Sequence, residues 1–158
     1  PGKVTLKARV AAQLDAKANP DLRDRPYEKP PYWHIERARL GDSREVPLEV
    51  LVNGRPVARK TIVADGELRD VSFDVTIDRS SWVAMRILPS SHTNPIFVVV
   101  DGKPIRASRR SLQWCLDAVD QCWSQKEKFL KAEAEEGRKV YEHARQVYRQ
   151  RLAECDVD

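Results

Sequence analysis

The sequence predicts a mainly β chain, an antiparallel two-sheet sandwich followed by a C-terminal α-helical hairpin, on three observations. Up to about residue 106, apolar residues recur with a period of two, as in half-buried strands. Turn-forming pairs punctuate that region at Asn53-Gly54, Asp65-Gly66 and Asp101-Gly102. From Ala107 onward the apolar spacing changes to three and four. About seven or eight short strands, with no helical pattern between them, disfavour a parallel α/β sheet and point to an immunoglobulin-like sandwich. Residues 1–106 are assigned to that sandwich and residues 107–158 to a helical hairpin packed on it. A closed barrel fits less well, because the strand lengths are uneven and a proline-rich excursion interrupts them.

The first strand places Val4, Leu6, Ala8, Val10, Ala12 and Leu14 on one face, alternating with Lys3, Thr5, Lys7, Arg9 and Gln13. Residues 19–31 carry Pro20, Pro26, Pro30 and Pro31 among mixed charges and read as irregular chain. Residues 32–40 read as a second strand. Val46, Leu48, Val50 and Val52 share a face of the next, and Asn53-Gly54 turns it into the strand over residues 55–63 through a type I′ hairpin. Val71, Phe73, Val75 and Ile77 point inward from a further strand. The apolar runs 82–88 and 96–100 are rich in β-branched residues and read as buried central strands, with Trp82, Met85, Ile87, Phe97 and Val99 inside.

Ser108 suits a helix N-cap. Leu112, Cys115, Leu116, Val119, Cys122, Trp123, Phe129 and Leu130 form one stripe; Val140, Tyr141, Ala144, Val147, Tyr148, Leu152 and Cys155 form another. Residues 131–138 between them are charged, with Gly137 the one helix breaker. Two antiparallel helices are expected, with one long helix the alternative.

Composition limits what the chain can do. At 158 residues it can bury a proper core. Lys and Arg exceed Asp and Glu, 28 to 24, but the excess is spread thinly: 17 basic and 14 acidic residues to Ile105, 11 and 10 after it. With no basic stripe and no interleaved aromatic platform, nucleic acid is not an expected partner. No apolar run approaches a membrane span and no signal-peptide pattern occurs, so a soluble chain with no membrane partner is expected. Because it begins at Pro1 rather than Met, the chain reads as a piece of a longer polypeptide. Homo-oligomer formation is left open.

Candidate chemistry is sparse. Of the three cysteines, Cys115 and Cys122 are seven residues apart on a helix, about 10.5 Å, beyond disulfide reach and unable to chelate one metal together. Either one is able to meet Cys155 across a hairpin, although buried free thiols are the simpler reading. His34, His92 and His143 form no metal-ligand spacing, so no metal and no cofactor is expected. The densest polar cluster is Ser90, Ser91, His92, Thr93 and Asn94, ahead of Pro95. A Ser–His pair has nucleophilic chemistry within its repertoire, but no carboxylate or nucleophile elbow accompanies it, and no catalytic residue is assigned. The cluster reads as a hydrogen-bonded turn, with a ligand-binding loop as the alternative. Asp117 and Asp120 read as a solvated helix face. Arg106, Arg109 and Arg110 gather at a helix start, where the macrodipole favours anions, so they are expected to contact something negative, acidic side chains of the sandwich before an external anion. Trp33, Glu36, Arg37 and Arg39 read as a salt-bridged edge or interdomain surface.

Several stretches carry a family likeness. Tyr32-Trp-His-Ile-Glu-Arg-Ala-Arg-Leu-Gly41, Val46-Pro-Leu-Glu-Val-Leu-Val-Asn-Gly54, Ser81-Trp-Val-Ala-Met-Arg86 and Ser90-Ser-His-Thr-Asn-Pro95 followed by Ile96-Phe-Val98 resemble the C-terminal, non-catalytic region of CehA/McbA-type metallohydrolases. Those are bacterial enzymes of the polymerase-and-histidinol-phosphatase class. The helical tail, from Ser111-Leu-Gln-Trp-Cys-Leu116 through Tyr141-Glu-His-Ala-Arg-Gln-Val-Tyr148, is similar to it as well. The family's His-X-His ligands have no counterpart here. The resemblance therefore implies an accessory domain, not itself an enzyme, whose partner is the catalytic domain of the same polypeptide. It would brace that domain, complete its cleft or mediate assembly, with export to the periplasm left open. The alternative is a carbohydrate-type binding module using the loop from Ser90 to Pro95.

Overall fold

The computed structural model describes residues 2–157 and divides the chain into two compact units, Pro1–Lys103 and Pro104–Asp158. The boundary falls three residues before the one read from the sequence.

The first unit is built of two antiparallel sheets. Strand β1 (Gly2–Val10) pairs along its whole length with β4 (Arg69–Ile77). The larger sheet places β2 (Glu45–Val52) between β3 (Arg55–Val63) and β5 (Ser81–Ile87). The far flank of β5 is shared by two short strands, β6 (Ser91–His92) and β7 (Ile96–Val98). Alternation along the strands sends one side chain in two to a common core. Leu6 from β1 and Phe73, Val75 and Ile77 from β4 meet Val46, Leu48, Val50, Ile62, Val83, Met85 and Ile87 of the larger sheet. The inward faces read for these strands are those observed.

Turn chemistry sets the register. Asn53 and Gly54 both adopt positive φ, 51° and 84°, as a type I′ hairpin requires. Asn53 also locks the neighbouring strand: its Oδ1 accepts from the Trp82 amide at 3.0 Å and its Nδ2 donates to Ser81 Oγ at 3.0 Å. Beyond β1 the chain meets the segment between β3 and β4 at an isolated bridge, Gln13 to Asp65. It then enters the proline-rich excursion, where Asn19 caps the four-residue helix α1 (Pro20–Arg23).

Two strand assignments are corrected. Residues 32–40 form no strand; Ile35–Ala38 is a single 3₁₀ turn. His34 caps it, its Nδ1 accepting from the Glu36 amide at 3.1 Å, and the helical i to i+3 spacing brings Glu36 and Arg39 into contact. The poor alternation of charge in this stretch reflects that turn. Nor is the run 96–100 a buried central strand. β7 spans three residues at the rim of the sheet, and Ile96, Phe97 and Val99 are 60, 65 and 61% exposed. A short apolar run has the same pattern at a rim as in a centre, so periodicity alone does not separate them. Trp82, expected inside, is half-buried.

The second unit is a helical hairpin and not one long helix. Helix α2 (Arg109–Lys126) ends in a 3₁₀ turn at Glu127–Phe129, and α3 (Ala134–Glu154) returns. Ser108 caps α2 as expected, accepting from the Ser111 amide at 3.1 Å. Gly137 does not break the chain; it lies inside α3, close against Leu130 and against Trp123 of α2. A Cβ there would sit 2.9 Å from Leu130 Cδ1 and 3.4 Å from Trp123 Cζ3. The seam continues through Trp123 against Tyr141, ring centroids 5.0 Å apart, and through Arg145 of α3, which donates to Asp120 at 2.6 Å. Phe129, placed in the apolar stripe by its spacing, is exposed.

Candidate functional site

Residues 90–94 are positioned by the flank of β5, which carries two partners in succession. β6 pairs opposite Arg86 and Ile87, β7 opposite residues 81–83, and Thr93 fills the interval. The Thr93 amide donates to the Met85 carbonyl at 2.9 Å, and Thr93 Oγ1 accepts from the Met85 amide at 3.1 Å. A side-chain oxygen thus does the work of a ladder carbonyl where the strand is interrupted. The Ser90 amide closes a turn onto the Ile87 carbonyl at 2.9 Å. His92 Nδ1 lies 3.1 Å from the Thr93 carbonyl, a hydrogen bond when that nitrogen carries the proton. Ser91, His92 and Asn94 are exposed. Thr93 is thus engaged with the backbone of β5, and His92, in that tautomer, with the backbone of the loop itself.

Ser91, His92 and Thr93 nevertheless line one side of a cleft of about 220 Å³. Arg9, Val10 and Ala11 form the other side, and the core residues Leu48, Met85 and Ile87 face into it. Small-molecule sites usually run from about 300 Å³ upward, so this cleft suits a group the size of a side chain. Arg86, at its rim, is engaged with Glu49 of β2: Nε and Nη2 reach Oε2 at 2.8 and 2.7 Å. The cleft therefore offers apolar contact with hydroxyls at its edge, and no aligned nucleophile, base and carboxylate.

Within the second unit, Arg106 and Arg109 of the basic cluster contact the end of α3. Arg106 Nη2 pairs with Glu154 Oε2 at 2.5 Å, holding that carboxyl below its usual range. Arg109 Nη1 donates to the Leu152 carbonyl at 2.8 Å, and the Arg109 amide to the Val157 carbonyl at 2.7 Å. The unfavourable charge at the start of one helix is thereby set against the negative end of another. Arg110 is exposed.

The remaining candidates are structural in their contacts. All three cysteines are free thiols. Cys122 Sγ lies 3.1 Å from Tyr141 Oη, which raises the tyrosine pKa, and Cys155 is buried with its Sγ toward the Arg106 and Val157 carbonyls. Asp117 accepts from Gln113 at 2.8 Å and Asp120 from Arg145 at 2.6 Å, and both carboxylates stay exposed on α2, as a solvated face requires. Among the described residues no three His, Cys, Asp or Glu side chains converge as metal ligands, and no helix is long and apolar enough to cross a membrane.

Two features escaped the sequence reading. Glu36 and Arg39 are not an edge but a wholly buried ion pair: Arg39 Nε and Nη2 donate to the carboxylate at 2.6 and 2.9 Å. Its other bonds tie down the excursion, to the Asp15 carbonyl at 2.6 Å and the Ser43 carbonyl at 3.0 Å, while the Asn19 amide donates to Glu36 at 2.7 Å. Arg39 holds the Glu36 carboxyl below its ordinary pKa, with the Asn19 amide helping and burial opposing. The second feature is what this clamp presents: Tyr27, Tyr32 and Trp33 stand 80, 69 and 80% exposed on one loop. Arg37 lies over the Tyr27 ring at 4.7 Å, and Arg25 donates to the Pro30 carbonyl at 2.7 Å. Four closely spaced prolines flanked by aromatics were the available signal.

Comparison with protein-family models, with curated proteins and with solved structures returned no match.

Proposed function

We propose that this chain is a non-catalytic accessory module of a larger bacterial metal-dependent hydrolase, bracing or completing its catalytic domain. One observation carries the reading: Ile96 and Phe97 in the rim strand β7 of the larger sheet, and Val99 just past its end, stand exposed. Proteins ordinarily protect such an edge with charge, proline or a covering element, and an apolar rim left open belongs against another protein surface. The likeness of residues 32–54 and 81–98 to the non-catalytic region of CehA/McbA-type hydrolases supports the same partner. The strand order also supports an immunoglobulin-like sandwich: β1 and β4 stand as strands B and E, facing β3-β2-β5-β7 as an edge strand followed by C, F and G.

The test joins two measurements. Chelator-free protein is analysed for metals and screened for esterase and phosphatase turnover, and its binding to the separately expressed catalytic domain of its own polypeptide is titrated. The expected outcome is no turnover and saturable binding that Phe97→Asp abolishes without unfolding the protein. Turnover lost in His92→Ala, or a parent polypeptide without a hydrolase domain, overturns the reading.

A second reading rests on the exposed aromatics. Tyr27, Tyr32 and Trp33 offer flat apolar faces with polar tips, suited to stacking on a sugar ring, so a carbohydrate-binding module would use this loop instead of residues 90–94. Titration against soluble polysaccharides decides it: binding lost in Trp33→Ala and kept in His92→Ala supports it, and no binding to any of them removes it.

A further inference from the structure

The smaller sheet has an open side. β1 is paired to β4 on one edge, and no other strand among the described residues reaches its second edge. The outer edge of β4 is, by contrast, attended by β3: Lys60 Nζ donates to the Ser72 carbonyl at 2.8 Å. That bond shows which groups point outward. A Ser72 carbonyl turned away from β1 marks Ser72 and its partner Lys7 as a non-hydrogen-bonded pair, so the N–H and C=O of Lys7 point to the open side of β1. By alternation Lys3, Thr5 and Arg9 do the same. The residues that expose ladder groups are thus the ones whose side chains are exposed, and three of the four are basic.

We infer that the open edge of β1 receives an extended acidic strand from a partner protein, as a third strand of the smaller sheet. Two-stranded ribbons are marginal by themselves, and strand addition is a recurrent mode of peptide recognition. Charge chooses the occupant. A residue opposite Lys3, Lys7 or Arg9 shares their face, where a carboxylate is favourable and a like charge is not. Asp74 already attends Lys3 at 2.8 Å and Asp70 lies 3.6 Å from Arg9, but Lys7 stands opposite Ser72 and keeps its charge for the incoming strand. A second copy of this chain is the wrong partner: antiparallel pairing of β1 with itself sets Lys3 against Lys7 when centred on Thr5, and against Arg9 when centred on Leu6. The alternate residues of the strand face the core side, where the cleft of about 220 Å³ beside Arg9, Val10 and Ala11 takes one apolar side chain. The position is that of strand A in an immunoglobulin-like sheet, next to strand B. This edge is not the apolar rim at Ile96–Val98, so the inference stands or falls separately from the accessory reading.

The test uses the full chain and two synthetic peptides of the length of β1, 9 residues, one alternating glutamate with valine and the other lysine with valine. At low salt the glutamate peptide binds and protects the amides of Thr5 and Lys7 from hydrogen exchange, and the lysine peptide binds at least roughly tenfold more weakly. Lys7→Pro removes an outward N–H without touching the β4 pairing and abolishes binding while the melting curve stays cooperative. Should that variant fail to fold, the double variant Lys7→Glu with Arg9→Glu serves, and it inverts the preference between peptides. Equal affinity for both peptides, binding unchanged in a folded Lys7→Pro protein, no binding at about 1 mM, or a sedimenting dimer whose protected amides are those of β1 overturns the inference.

Discussion

In the unit Pro1–Lys103, side chains from five strands close over one another until Val50, Ala64 and Val83 lose all access to water, whereas among the described residues of Pro104–Asp158 Trp123 and Cys155 alone are buried. Two facing sheets enclose a volume; two helices enclose only a seam. The sheets can therefore rely on apolar burial, and they spend their polar interactions on the excursion, where Glu36 and Arg39 fasten residues 15–43 through one buried node. The helices instead distribute modest contacts along their length: a ring pair, the Arg145–Asp120 bridge, and ties at both ends. Damage should accordingly be concentrated in the first unit and diffuse in the second.

The sharpest way to break this contrast is Glu36→Ala. It leaves a guanidinium buried without its carboxylate and is expected to cost about 3–5 kcal/mol in chemical denaturation, with the excursion becoming sensitive to protease. Loss of under 1 kcal/mol would show that the carbonyl partners of Arg39 suffice. Acid probes the same node without a large cavity. The folded Glu36 pKa lies below its ordinary 4.5, so its contribution is full above the unfolded value and is lost as pH falls through the folded one. Wild-type Tm should fall more steeply than that of Glu36→Gln as the pH drops below the ordinary carboxyl value of 4.5.

Leu48→Ala comes next. At this fully buried position of β2 the expected cost is about 2–4 kcal/mol, read from the same denaturation curves. Phe97→Ala on the rim should change stability by no more than about 0.5 kcal/mol, although the sequence gives the two positions equal apolar weight. The smallest effect belongs to Gly137→Ala. Alanine favours a helix interior by about 1 kcal/mol over glycine, and the new methyl meets only the movable end of Leu130 closely, so a net gain below about 0.5 kcal/mol is expected in the thermal unfolding of the hairpin.

What the sequence discloses tracks what is local. β1, β4 and the Asn53-Gly54 hairpin follow from period-two alternation and a turn pair that tolerates positive φ, both properties of neighbouring residues. The Ser108 cap is legible for the same reason, whereas the break between the helices is not: the one breaker in the sequence, Gly137, lies inside α3. The place of β7 at the rim is not, because whether a strand has one neighbour or two is decided by residues far away in sequence. Glu36 and Arg39 look like surface charge until the 3₁₀ turn places them three apart on one face, with carbonyls from residues 15 and 43 arriving from either side. For the candidate site, the hydroxyl-rich loop was visible, yet its use of Thr93 as a ladder acceptor depends on the interruption between β6 and β7. The aromatic loop was visible as residues and invisible as a surface.

The ties between Arg109 and the last turn of α3 have a topological consequence. With the Arg109 amide bonded to the Val157 carbonyl, the hairpin begins and ends at the same place. A segment whose two ends emerge side by side can be spliced into a surface loop of a host protein with little stretching of the host, because joining ends already in contact adds scarcely any closure entropy. Residues 109–157 thus have the geometry of a portable cassette, and residues 127–133, at the opposite end of the hairpin, are where a reporter or a further segment would be carried farthest from the graft.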